Sequence, residues 1–453
     1  MNKTLSIDEF CGKYKVLIII ILSSILLRAI FFVTLRPWDE QVLTNKILIG
    51  DASGYHELAK ELLNRKAYTS PASQFRTPGY PFFLSIIYAV VGIKPWWVLL
   101  LQILLNGGAI VLVYALSRIF FSEAISLISA SLYSINPLNI YYAQTILTET
   151  LFSFIFLTCM LFLFKGLSIG KIKLVFVSGL LLGLSTLVRP VTQFFLAVVV
   201  GILLTWPEKK SGFRITAIIG FSLLFFITVG SWGIRNYYLY GQFGLTSFQG
   251  YNLLFDNATA TKKVKTGKPY VEIRKAFSET AEQRGIEGST PTFQNSSIYQ
   301  EIALEYIFQN WKDYIPIHLR GMVLTFLDVG VIGICRYLGF DTKPLTVEFT
   351  ATYGSIPKMI GAFFRIKPTS EILFSIPFYM LLITTYAGFF IGGVSLVSEK
   401  QYLLVSIILI LMIYFSLLPG VIGQARYRVP IIPFYLIICA KGFSEIVNFF
   451  KYR

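Results

Sequence analysis

The sequence predicts an all-α protein: a polytopic transmembrane bundle of about 10–12 spans, with a first outer loop of interfacial helices and a larger outer loop before the last spans. Three observations predict it. Hydrophobic residues make up 55% of 453 positions and charged residues only 14%, where a soluble domain carries about 25% charged. Apolar runs long enough to cross a bilayer, or nearly so, recur along the chain. Lysine and arginine are concentrated in alternate short loops, the asymmetry that sets membrane orientation.

The first 15 residues are polar and mildly basic, and an apolar run from Val16 to Leu35 follows. That run is long enough to span and too long for a typical cleaved signal core, so it reads as a retained anchor. Arg28 inside it is expected to snorkel or to meet a lipid phosphate. Further apolar segments fall at 96–117, 124–140, 146–164, 174–188, 191–206, 215–235, 372–394, 402–419 and 429–447.

With the N-terminus inside, the inner loops hold Lys3, Lys13, Lys15, Arg118, Lys165, Lys171, Lys173, Lys209, Lys210, Arg214, Lys400, Lys441, Lys451 and Arg453. The short outer loops hold Arg189, Arg426 and Arg428. This predicts both termini inside and leaves three outer arginines that need another reason. The chain then divides into an N-terminal transmembrane module, 1–235, an extracytoplasmic segment, 236–371, and C-terminal helices, 372–453.

Within the first module, 36–95 is a long outer loop. From Asp51 its apolar residues Tyr55, Leu58, Ala59, Leu62 and Leu63 make one helical face opposite a charged one, the pattern of a helix lying in the interface. His56 falls on the polar side. The apolar stretch from Pro81 to Gly92 is too short to span and reads as a second interfacial or re-entrant helix. In the second outer segment, 256–297 is polar and reads as a loop, Tyr299 to Ile307 is amphipathic, and 314–335 is apolar apart from His318, Arg320 and Asp328.

The formal charge of +16 does not indicate nucleic acid binding, because the basic residues lie mostly between apolar spans. Cys11, Cys159, Cys335 and Cys439 are scattered without ligand spacing, and there are only two histidines, so neither a disulfide framework nor a histidine-rich metal centre is expected.

The residues with chemical potential lie at the outer ends of apolar segments. Asp51 stands where it serves equally as the N-cap of a helix 52–64 or as a reactive carboxylate. Arg76 is either a solvated loop arginine or a phosphate ligand: it precedes Thr77-Pro78-Gly79, which limits where its guanidinium reaches, and a planar, permanently charged fork suits phosphate. Arg426-Tyr427-Arg428 lies in a short outer loop beside Pro430 and Pro433; the two arginines either snorkel or hold an anionic headgroup. Glu149 and Arg189 either brace each other or contact substrate. Arg235 ends an apolar span, one turn after Trp232.

These pieces resemble the GT-C superfamily of polytopic glycosyltransferases, and more narrowly its bacterial dolichyl-phosphate-mannose-protein mannosyltransferase and aminoarabinose transferase branch. The motifs are Asp51-x-x-x-Tyr55, Arg76-x-Pro-Gly-Tyr80-Pro81, Asn136-Pro137 with Thr148-Glu149, Leu187-Val188-Arg189-Pro190, Trp232-x-x-Arg235-Asn236 and Arg426-Tyr427-Arg428-x-Pro430-x-x-Pro433.

The resemblance implies transfer of a monosaccharide from a polyprenyl-phosphate carrier to an extracytoplasmic acceptor, which is a lipid-linked glycan, a lipid or a protein hydroxyl. It implies inversion, with Asp51 as general base and Tyr55, Arg76, Tyr80, Glu149, Arg189, Arg235, Arg426, Tyr427 and Arg428 binding substrate. The expected location is a bacterial cytoplasmic membrane with the site facing outward, among membrane lipids and without nucleic acid. Many relatives place a second acid directly after the aspartate; here that position is Ala52. A divalent metal is the one cofactor that the resemblance leaves open. A flippase or transporter for an amphipathic substrate, or an envelope oligosaccharide polymerase or ligase, would share the many spans and outer arginines.

Overall fold

A computed structural model describes residues 7–65, 67–207, 209–286, 291–340, 342 and 356–451. Lys3 and Arg453, used in the orientation argument, lie outside the described residues, as do 343–355 of the second outer segment. Helices account for almost all ordered backbone and the described residues contain no strand. The chain is an integral membrane protein built as a helical bundle.

Six helices among the described residues are long and apolar enough to cross a membrane: Tyr14–Leu35, Pro95–Phe120, Glu149–Ile169, Ser211–Tyr240, Thr369–Ser398 and Ala425–Lys451. The remaining predicted apolar segments are helical but shorter, for stereochemical reasons. The segment 124–140 breaks at Asn136-Pro137, where Asn136 caps a new helix by accepting from Asn139 N. Pro190 separates Ile172–Val188 from Phe195–Thr205. Pro419 follows Tyr402–Leu417. At 1.5 Å rise, 16 or 17 residues reach about 25 Å, short of the roughly 30 Å hydrocarbon layer. Irregular backbone at such breaks is tolerated where it lines a cavity in the protein, and the site lies at these breaks.

The last two long helices pack closely through glycine. A Cβ on Gly392 would lie 2.1 Å from Ile438 O and one on Gly442 2.0 Å from Gly388 O. Only glycine permits that approach, the small-residue seam common between membrane helices.

Two buried arginines act as helix C-caps. Arg28 is fully buried and donates to Ser24 O, Ser24 Oγ and, at 2.9 Å, Ser134 O, which ends the helix Glu123–Ser134. It neither snorkels nor reaches lipid, because the negative end of that helix provides the compensating charge inside the bundle. Arg428 donates to Thr325 O, Phe326 O and Asp328 O at 2.7–2.9 Å, at the end of Trp311–Leu327.

The stretch predicted at 314–335 is a helix pair, Trp311–Leu327 and Val331–Tyr337, bent by 55°. Gly330 sits at the bend with φ +67°, a value glycine adopts without strain.

The second outer segment differs from the predicted loop. Residues 259–283 form the helices Thr259–Thr266 and Tyr270–Gln283. Tyr270, Ile273, Phe277 and Ala281 recur at helical spacing, a signal diluted by the charged residues between them. Ile273, Phe277 and Ala281 join Tyr299, Ile302, Ala303 and Ile307 and Leu254 and Phe255 in a small core of their own. The amphipathic face at 299–307 therefore packs on protein.

Candidate active site

The segment 36–95 supplies the helix Asp51–Arg65, entered through Gly50 at φ +57°. Tyr55, Leu58 and Ala59 are buried, as their spacing predicts. His56 is buried too, its Nδ1 2.9 Å from Tyr88 Oη on the helix Gly79–Val91. The predicted polar placement of His56 does not hold, because this second helix covers that side.

The Arg76-Thr77-Pro78-Gly79 turn docks on the end of Ile172–Val188. Thr77 Oγ1 donates to Val188 O at 3.2 Å. A Cβ on Gly79 would lie 2.7 Å from Leu187 O. Arg76 then lies over Gly54, where a Cβ would meet Arg76 Nε at 3.0 Å, with its guanidinium carbon 4.3 Å from the Tyr55 ring centre. Tyr68 Oη donates to Arg76 O at 3.0 Å.

These elements bring five charged side chains into one alternating chain. Arg76 Nη2 lies 3.0 Å from Asp51 Oδ1, and Asp51 Oδ2 lies 2.7 Å from Arg426 Nη1. Arg426 Nε pairs with Glu149 Oε1, which also takes Arg189 Nη1 at 2.8 Å. Glu149 is fully buried at the start of its helix and Asp51 is 42% exposed. Burial alone would push the Asp51 carboxyl up, but the Arg426 and Arg76 guanidiniums outweigh it and hold it well below the usual carboxylate range. Both its oxygens go to guanidiniums, so the capping role that the sequence left open is not the one it performs. Tyr427 lies under Arg189, 5.4 Å from ring centre to guanidinium carbon.

Three predicted residues stand apart. Tyr80 is buried and donates to Gln102 Oε1 at 2.8 Å; it meets Tyr55 by an edge contact, at 5.1 Å, and among the described residues has no hydrogen bond to the charged chain. Arg235 stacks on Trp232 at 4.4 Å and donates to Tyr68 O, supporting the residue that holds Arg76. Arg428 gives its donors to the carbonyls named above and to Tyr386 Oη. Its neighbour Arg426 points the other way because the 425–431 turn is a 3₁₀ helix, whose side chains diverge by about 120° per residue.

Sequence reasoning missed two acids. Asp328 clamps the Arg426 turn: its Oδ2 accepts from Ala425 N and its Oδ1 from Gly330 N, both at 2.8 Å. Its isolation in an apolar stretch was the available signal. Asp256 is half-buried on a π-helical turn and has no ion-pair or hydrogen-bond partner among the described residues. Burial pushes its carboxyl up to about 6, against the opposing pull of Arg274. Tyr427 lies within electrostatic reach of Asp256, Asp51, Arg426 and Arg189 together. Next to it, Asn257 Oδ1 accepts from Val421 N at 3.4 Å, which ties this turn to the strand of chain leading into Arg426. Nothing in the polar stretch around Asp256 distinguished it in sequence.

No three His, Cys, Asp or Glu side chains converge among the described residues. The neighbours of Asp51 are guanidiniums, so these residues do not form a divalent-cation site.

Residues 75–232 match the dolichyl-phosphate-mannose-protein mannosyltransferase family. The resemblance to the GT-C superfamily is borne out. The matched stretch contains Arg76, Glu149 and Arg189, and the Asp51 helix and the Arg426 turn lie outside it. No curated protein sequence matches the chain.

Among solved structures, the Archaeoglobus fulgidus oligosaccharyltransferase complexed with zinc and sulfate shares 12% identity, with 95% of this chain and 50% of that one covered and a TM-score of 0.47. The AglB oligosaccharyltransferase of the same organism, with an inhibitory peptide and a dolichol-phosphate, shares 13% identity over 97% of this chain and 51% of that one, at 0.48. ArnT from Cupriavidus metallidurans, bound to undecaprenyl phosphate, shares 11% identity over 95% and 78%, at 0.40. The chain spans about half the length of the archaeal enzymes.

Proposed function

We propose that the protein is an integral membrane glycosyltransferase that moves a monosaccharide from a polyprenyl-phosphate carrier to an acceptor hydroxyl on the extracytoplasmic side. The observation that carries this reading is the Arg76–Asp51–Arg426–Glu149–Arg189 chain. It holds three guanidiniums against two carboxylates, a surplus of one positive charge beside partly exposed Asp51. Such a surplus suits a phosphate, whose charge grows as the glycosidic bond breaks.

In the transfer, the acceptor oxygen attacks the anomeric carbon from the face opposite the phosphate. The bond from that carbon to the phosphate oxygen breaks, and its electron pair leaves with the lipid phosphate. The acceptor proton passes to Asp51. The outcome is inversion without a sugar–enzyme intermediate. Arg76 and Arg426 receive the developing charge, while Glu149 and Arg189 fix Arg426. Tyr427 lies within electrostatic reach of both Asp256 and Asp51. The acceptor is a lipid-linked glycan, a lipid or a protein hydroxyl, and the membrane is the bacterial cytoplasmic one.

The experiment offers purified protein, with a membrane lipid and glycan extract as the source of acceptor hydroxyls, a radiolabelled polyprenyl-monophosphate sugar and, separately, a pyrophosphate-linked donor. Release of label from the monophosphate alone is expected. Release from the pyrophosphate alone favours a polymerase or ligase, and movement of intact donor across a vesicle without release favours a transporter.

A further inference from the structure

We propose that Asp51 is the resident anion of the donor-phosphate site: the lipid phosphate displaces it from Arg426 and Arg76, so the base is freed only when the donor is in place. This rests on the reading of the site as a polyprenyl-phosphate site and adds an order of events to it.

The geometry creates the need for such a step. Each oxygen of Asp51 is taken by a different guanidinium, at 3.0 and 2.7 Å. A carboxylate held this way is a poor proton acceptor, because accepting a proton gives up the negative charge that both guanidiniums stabilise. To act as a base it has to lose them. A phosphate monoester brings more charge and more acceptor oxygens than a carboxylate and meets the planar fork with matching geometry.

The two carboxylates of the chain are not equivalent. Glu149 is fully buried and takes Arg189 as well as Arg426, so it stays as the anchor. Asp51 is 42% exposed and lies at the open end, where an incoming anion meets it first. Arg76 keeps its place when Asp51 leaves, because it rests on the Tyr55 ring and its carbonyl is held by Tyr68. One exchange of anions therefore charges the site with donor and uncovers the base together, and the acceptor is activated only second.

The test measures equilibrium binding of undecaprenyl monophosphate, which carries no sugar, to the full chain in nanodiscs. Asp51→Asn removes the competing anion while keeping the side-chain shape, and Asp51→Ala removes the side chain beyond Cβ. Both are expected to bind the probe roughly tenfold more tightly than the native chain. Unchanged or weaker binding by the folded variants overturns the displacement.

In the native chain, a structure with the probe bound reads the same event directly. The Asp51–Arg426 contact is expected to be open, and a probe seated on Arg426 with that contact intact overturns the proposal. Failure of the underlying reading looks different: the native chain and Arg426→Gln would then bind the probe equally poorly, which removes the donor site altogether.

Discussion

Asp51 and Arg426 stand 375 positions apart in sequence, yet Asp51 Oδ2 lies 2.7 Å from Arg426 Nη1. Through the second edge of the same guanidinium Arg426 also holds Glu149, so one side chain joins the first outer loop, the helix Glu149–Ile169 and the final turn. Replacing Arg426 by Gln leaves Glu149 with Arg189 alone and strips Asp51 of its closer partner. Each carboxylate keeps one guanidinium, so the cost is below the about 3–5 kcal/mol of leaving a buried charge without any partner; a fall in the thermal midpoint is expected along with weaker binding of polyprenyl monophosphate. Arg426→Lys keeps the charge but cannot serve both carboxylates, and should recover more stability than activity.

Arg428 provides the contrast. It sits two residues away but caps Trp311–Leu327 and makes no contact with the charged chain. Arg428→Gln should lower the thermal midpoint and leave the affinity of the folded protein for polyprenyl monophosphate within about twofold of native. A matched loss of affinity in folded Arg428→Gln would return it to the donor site.

Asp51→Asn keeps the outline of the side chain and removes its capacity to take a proton. Transfer is expected to fall by about 10²–10⁴, the usual contribution of a positioned general base. Activity near the native rate in folded Asp51→Asn protein excludes Asp51 as the base.

Gly54 makes room for Arg76, since a Cβ there would lie 3.0 Å from Arg76 Nε. Gly54→Val should push the guanidinium off the Tyr55 ring and away from Asp51, so donor binding weakens while the helix itself persists. Measuring polyprenyl-monophosphate affinity alongside helical content by circular dichroism separates the two effects.

Asp256 predicts a pH effect of definite sign. Its carboxyl is pushed up from 3.8 to about 6 in the folded protein. An acid raised in this way binds its proton more tightly when folded, so folding loses stability as pH rises from about 4 through about 6. A shift of that size corresponds to about 3 kcal/mol. Asp256→Asn should therefore stabilise the protein at pH 7.5 and change little near pH 4. A variant that is destabilised at pH 7.5 would mean that the charged form has a partner.

Much of the fold was legible because bilayer thickness and water exclusion leave few options for an apolar segment. Every predicted apolar segment is largely helical, and Pro81 to Val91 lies within the helix Gly79–Val91, which is too short to span and is ended by Gly92. The breaks at Arg189-Pro190 and Pro419-Gly420 fall where the apolar segments were already separated, whereas Asn136-Pro137 interrupts 124–140, a stretch whose hydrophobicity reads as continuous. The number of full-length spans is smaller than the number of apolar segments. At the site, charge in the wrong loops marked Arg189 and Arg426, and both entered the cluster. The same signal marked Arg428, which instead serves the backbone, because a local motif does not say which way neighbouring side chains diverge from a 3₁₀ turn. Asp328 offered only its isolation in an apolar stretch, and Asp256 offered nothing local; both sit among elements packed far along the chain.

The decisive experiment follows release of radiolabelled sugar from polyprenyl-monophosphate donors by the purified native chain, supplied with a membrane lipid and glycan extract as acceptor source and run beside Arg426→Gln and Asp51→Asn. Release by the native protein and a loss of at least about 100-fold in both folded variants are expected. Release at equal rates by all three, or none by the native chain across a panel of monosaccharides, would contradict the proposed transfer.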